Sequence, residues 1–99
     1  MGKRKIIVKR SVADAIAQVS WFIESKGLVD TAEKYAGSIY DFFETMVDNQ
    51  KSYPLCREAG RAFLGYKCIH FKRKYTIVFI ETEKEIIICE FIPSKLIYW

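Results

Sequence analysis

From Ser11 to Lys26 the apolar residues fall at Val12, Ala15, Ile16, Val19, Phe22 and Ile23, the spacing of one helix face. Ser11, with Asp14 three residues on, supplies a start signal, and Lys26-Gly27 supplies a stop. A second helical pattern follows through Ala32, Tyr35, Ala36, Ile39, Tyr40, Phe42, Phe43, Met46 and Val47. Asp30 with Glu33 makes a capping-box-like opening, and the helix is expected to end near Asp48-Asn49. The period then changes. Gly65 to Phe71, Lys74 to Ile80 and Glu85 to Ile92 are short runs rich in β-branched and aromatic residues, separated by charged breaks. Runs so closely spaced predict an antiparallel meander. Lys5 to Lys9 reads as a short first strand, and Gln50 to Ala62, with Pro54 and Gly60, as a loop.

The predicted fold is α+β: an N-terminal strand, an antiparallel helical hairpin, then a three-stranded antiparallel meander, in one domain over residues 1–99. Ile39 and Phe43 lie four apart and are expected to face the sheet. The aromatic residues of the second helix read as core packing. In the strands Ile77 and Phe79 alternate with Val78 and Ile80, and Ile86 and Ile88 with Ile87 and Cys89. Both faces are therefore apolar, and a sheet with one wet face would show polar alternation. The second face needs a cover: the chain's own C-terminus, a second copy, or a partner. The apolar tail from Ile92 to Trp99 is a candidate cover or contact.

Composition adds limits. Half of the 99 residues are apolar and 15% are aromatic, which excludes a disordered chain. No run approaches the ~18 apolar residues of a membrane span, and the basic start is too short of apolar residues for a signal peptide. The three cysteines, Cys56, Cys68 and Cys89, lack CxxC spacing and suggest neither a disulfide framework nor a zinc site. Cys68 and Cys89 read as small core residues, and a reducing cytoplasm is the expected location.

Chemistry is sparse. The sequence holds no glycine-rich phosphate loop, HExxH or GxSxG, and no cofactor or metal is implied. His70, the one histidine, reads as a structural or surface residue, since no carboxylate in its strand is placed to orient it. Glu81, Glu83 and Glu85 read as a solvated turn. The net charge of +4 permits an acidic partner. Arg57, Arg61, Lys67, Lys72, Arg73 and Lys74 cluster, with Tyr53, Tyr66, Phe71 and Tyr75 between them. Cations interleaved with aromatics neutralise phosphates and stack on bases, but equally form a solvated hairpin tip.

The element order, with Trp21-Phe22-Ile23, Ala32-Glu33-Lys34-Tyr35, Arg57, Gly60-Arg61, Gly65-Tyr66-Lys67, Tyr75 to Phe79 and Glu85 to Ile92, resembles the RelE/ParE superfamily of toxins from type II toxin–antitoxin (plasmid stabilization) modules. The resemblance covers nearly the whole chain. It implies a growth inhibitor neutralised by a cognate antitoxin, a homodimer being open to it without that partner. RelE-like members cut messenger RNA on the ribosome; ParE-like members poison DNA gyrase. Lys67 matches one lysine of the RelE-like nuclease site, but Ile69, Thr76 and Leu96 stand where it has a lysine and two arginines. Lys95 matches a basic residue of the C-terminal turn, and Tyr98 lies near the terminal tyrosine, out of register. The ParE-like activity is favoured, with a diverged non-toxic binding module as a further possibility. If a nuclease, the chain would draw on Lys67, Arg57, Arg61 and Tyr98. The contact set for a target or nucleic acid is Arg57, Arg61, Lys67, Lys72, Lys74 and Lys95. The antitoxin would meet Phe91, Ile92, Leu96, Ile97, Tyr98 and Trp99.

Overall fold

Strand β1 (Lys5–Val8) leads into helix α1 (Arg10–Glu24), which returns through a short link as helix α2 (Val29–Thr45). A short helix α3 (Ala59–Phe63) precedes strands β2 (Lys67–Phe71), β3 (Tyr75–Glu81) and β4 (Glu85–Pro93). A 3₁₀ turn, Ser94–Leu96, follows. The computed structural model describes residues 4–47 and 53–96. The expected helix end at Asp48-Asn49 and the tail residues Ile97, Tyr98 and Trp99 lie outside them.

The four strands form one mixed sheet in the order β1-β4-β3-β2. The meander is as expected, and β1 extends it by pairing parallel to β4, Ile6 with Ile86 and Val8 with Ile88. The helical hairpin is the crossover that a parallel pair requires. Its α2 residues Ile39 and Phe43 are buried against the sheet, as their spacing predicted, in one cluster with Val12, Ile16, Ile77, Phe79, Ile86, Ile88 and Phe91. Gly27 ends α1 with φ +80°, which glycine adopts without steric cost.

Several local expectations are corrected. Lys9, not Ser11, precedes α1, and Leu28, not Asp30, precedes α2; neither gives a side-chain cap. Trp21 and Phe22 are 66% and 62% exposed. The stretch read as loop contains α3, whose cap is the Glu58 carboxylate accepting from the Arg61 amide at 2.7 Å. Cys56 and Cys68 form a disulfide.

Strand parity also fails at one place. Val78 pairs with Glu90 and Phe79 with Ile88, so Cys89 is an extra residue, a β-bulge. Beyond it the faces of β4 exchange. Ile88 and Phe91 thus share the helix-facing side although they are three apart. Phe91, expected to meet an antitoxin, is 4% exposed and stacked on Tyr75 with centroids 4.6 Å apart.

The second face carries Cys68, His70, Thr76, Val78, Ile80, Ile87, Glu90 and Ile92 by pairing. Its cover over the β2–β3 side is the chain's own 56–66 segment, tied down by the disulfide and by Arg61, whose Nε and Nη2 donate to Glu90 at 3.0 and 2.9 Å. Val78, paired with Cys68 and Glu90, is fully buried there, and Thr76, also buried, bonds to Ser94. Ile7, Ile80 and Ile87, towards β1, stay half-buried.

Candidate functional site

The expected cationic cluster divides into groups with different freedom. Lys67 sits on the helix-facing side at the β2 edge, opposite Phe79. Its Nζ donates to Glu81 Oε1 at 2.5 Å. The other Glu81 oxygen binds Arg4, which is buried and also donates to the Met46 carbonyl at 3.3 Å. Glu81 is therefore no solvated turn residue but the centre of an ion triad. Burial pushes its carboxyl pKa up, but the hydrogen bonds from Lys67 and Arg4 outweigh this and hold it below the ordinary glutamate range.

Arg61 is equally engaged. It meets Glu58 at 2.6 Å and Glu90 at 2.9 Å, and its pKa is raised, first by the Glu90 hydrogen bond. Two of the expected phosphate-binding cations thus spend their charge inside the molecule. Lys72 lies over the Tyr35 and Phe71 rings at 5.0 and 5.4 Å. Burial, then the neighbouring Tyr75, raises the Tyr35 hydroxyl pKa.

The structure brings Lys74 and Lys95 together. They line one cleft with Arg73, Tyr75, Pro93 and Ser94, closed by the Ser94 amide donating to the Lys74 carbonyl at 2.9 Å. The β2–β3 turn that presents Lys74 has Lys72 and Arg73 at φ +52° and +62°. That turn favours Asn-Gly; lysine and arginine there each cost on the order of 1 kcal/mol. Strain of this kind is commonest at functional positions. Sequence reasoning counted Arg73 among the charges but left it out of the contact set, because a turn conformation is not visible in composition.

An apolar groove adjoins this cleft, sharing Tyr75 and Pro93 with it. Ala15, Val19 and exposed Phe22 form its wall, and Phe91 lies in its floor. Leu96, 64% exposed, stands nearby in sequence beyond Lys95, while Ile92 is half-buried on the opposite face. Arg57 lies apart, in a second groove with Pro54, Leu55, Cys68 and His70. The Thr76 hydroxyl reaches His70 Nδ1 at 3.3 Å and Ser94 Oγ at 2.8 Å. Tyr98, the remaining nuclease candidate, lies outside the described residues.

Among the solved structures that share this architecture is a chain of the "Chromosomal ParDE TA system from P. aeruginosa", with a TM-score of 0.74 over 92% of this chain and 96% of that one. The fold is ParE-like. Identity is 15%, so the likeness lies in the arrangement of elements and not in shared side chains. No protein-family model and no curated protein matches the sequence. Among the described residues no helix is long and apolar enough to cross a membrane, and no His, Cys, Asp and Glu cluster is suited to hold a metal ion.

Proposed function

We propose that this chain is the toxin of a type II toxin–antitoxin module, working in the cytoplasm by binding its target, with DNA gyrase favoured over the ribosome. The fold shared with a chain of a ParDE system supports the module. The observation that carries the binding mode is the state of the cations. Lys67 is held by Glu81 and Arg61 by Glu58 and Glu90. Where the resemblance would have a nuclease arginine, Thr76 is fully buried and bonded to Ser94. A phosphoryl-transfer site needs fixed donors at the developing charge, and each one lost costs about 10²–10³ in rate.

The target contact of this reading is the basic cleft of Arg73, Lys74 and Lys95. Its antitoxin contact is the adjoining apolar groove, with Phe91 in its floor, together with Leu96 and the tail. A purified-gyrase supercoiling assay tests the target. Inhibition by the wild type, relieved by Lys74→Glu/Lys95→Glu and by the product of the neighbouring gene, is expected. Undiminished supercoiling at saturating protein removes gyrase as the target.

A ribonuclease reading has one observation in its favour: His70 and Arg57 share a groove, with a Thr76 hydroxyl on the imidazole. Histidine beside a cation suits acid–base work on a phosphodiester. RNA cleavage abolished by His70→Gln would establish it.

A further inference from the structure

The segment that covers the second sheet face is attached in an unusual way. Helix α3 buries no residue, and its Phe63 and Leu64 are 90% and 67% exposed. Its side-chain ties to the sheet are the Arg61–Glu90 pair and the Cys56–Cys68 disulfide. The remaining backbone ties are an isolated Leu55–Lys67 bridge and the Cys56 amide donating to the Tyr66 carbonyl at 3.0 Å. Val78, paired with Cys68 and Glu90 on that face, is at 0% exposure. A cover whose helix buries no residue belongs to the low-stability end of a fold.

The two sulfurs differ in access. Cys56 is 3% exposed, whereas Cys68 is half-buried and lines the groove with Arg57 and His70. An incoming thiolate therefore has a route to Cys68 Sγ, along a groove whose arginine favours its negative charge. The third cysteine does not compete. Cys89 is buried, donates to the Ile87 carbonyl at 3.4 Å, and burial pushes its thiol pKa up.

We propose that Cys56–Cys68 is a thiol-exchange site, opened by a cellular dithiol protein, and that the bond latches the 56–66 segment over the sheet. One thiolate of the dithiol attacks Cys68 Sγ. The Cys56–Cys68 bond breaks, and Cys56 leaves as a thiolate and takes up a proton. The second thiol of the dithiol then attacks the mixed disulfide and releases Cys68 as a thiol. Two electrons pass to the protein, and the dithiol departs as its own disulfide. The 56–66 segment, now without its covalent tie, lifts and uncovers Val78. This device is independent of which target the toxin reading names. It fits a protein of a reducing compartment, where disulfides are chiefly transient and redox-sensing.

The test uses the whole chain, poised in buffers of reduced and oxidised dithiothreitol. Alkylation mass spectrometry counts thiols, and hydrogen exchange follows each element. On reduction Cys56 and Cys68 become alkylated and Cys89 does not. Amides of residues 56–66 then exchange about tenfold faster or more, while β3 and β4 keep their protection. Cys56→Ser/Cys68→Ser shows the fast pattern with or without reductant, and Cys89→Ser responds as the wild type does. Three free thiols under oxidising buffer, two new thiols with unchanged exchange, or loss of protection across the whole sheet would each overturn the proposal.

Discussion

The two faces of the sheet are closed by different physics. The helix-facing side is sealed by two amphipathic helices that bury Ile39, Phe43, Val12 and Ile16 against Ile77, Phe79, Ile86 and Ile88. The other is covered by a segment fixed through ion pairs and a disulfide, with Phe63 and Leu64 turned to solvent. Apolar burial contributes free energy in proportion to area and cannot be switched. Ion pairs and a disulfide answer to charge, pH and redox state. The first face accordingly stabilises the molecule, and the second is where its behaviour is open to change.

The largest expected effect comes from Phe43→Ala, which should cost about 3–5 kcal/mol by leaving a cavity under the sheet. The matching change on the other cover, Phe63→Ala, removes a side chain from a residue 90% exposed and should stay within about 0.5 kcal/mol. Urea unfolding of the two variants checks the contrast, and similar losses would erase the distinction between the faces.

Next is Glu81→Ala. It leaves Arg4, 7% exposed, without its carboxylate, and a buried charge stripped of its partner costs about 3–5 kcal/mol. The lower half of that range applies, since Arg4 keeps the Met46 carbonyl. The sign of the pH effect follows from the depressed Glu81 pKa. The unfolded chain takes up this proton first, near pH 4.3, so the triad's contribution is complete above about pH 4.3 and is lost as pH falls through the lower folded value. Wild type should lose stability over that window more steeply than Glu81→Ala, as read by melting temperature against pH.

Arg61→Ala should have a small effect, about 1 kcal/mol or less, because its ion pairs are partly exposed and screened. Its signature is local: raised hydrogen exchange in α3 with no change in β3. A stability loss equal to that of Phe43→Ala would show that the second cover is also a structural core.

Much of the fold was legible because it rests on periodicity. Both helices, the meander and the inward placement of Ile39 and Phe43 follow from spacings of 3.6 and 2. What escaped depends on partners far apart in the chain. Arg4 and Glu81 are 77 residues apart, and nothing local marks them as a pair. The parallel docking of β1 on β4 is a tertiary choice, made once the hairpin returns the chain. The Cys56–Cys68 link spans 12 residues and fits no short motif. The Cys89 bulge breaks alternation silently, so strand parity does not reveal that Phe91 shares the helix-facing side with Ile88. For the site, the charges were visible but not their engagement: Lys67 and Arg61 read the same as Lys74 and Lys95 until their carboxylate neighbours are placed.

The central claim is that the proposed toxin acts by binding, its Lys67 being structural. Primer extension on ribosome-bound messenger RNA, from cells expressing the wild type or Lys67→Ala without antitoxin, tests it most directly. The account predicts growth arrest with both proteins and intact messenger RNA with both. Codon-phased cuts with the wild type that vanish with Lys67→Ala would contradict it, and would make Lys67 a catalytic residue of a ribonuclease.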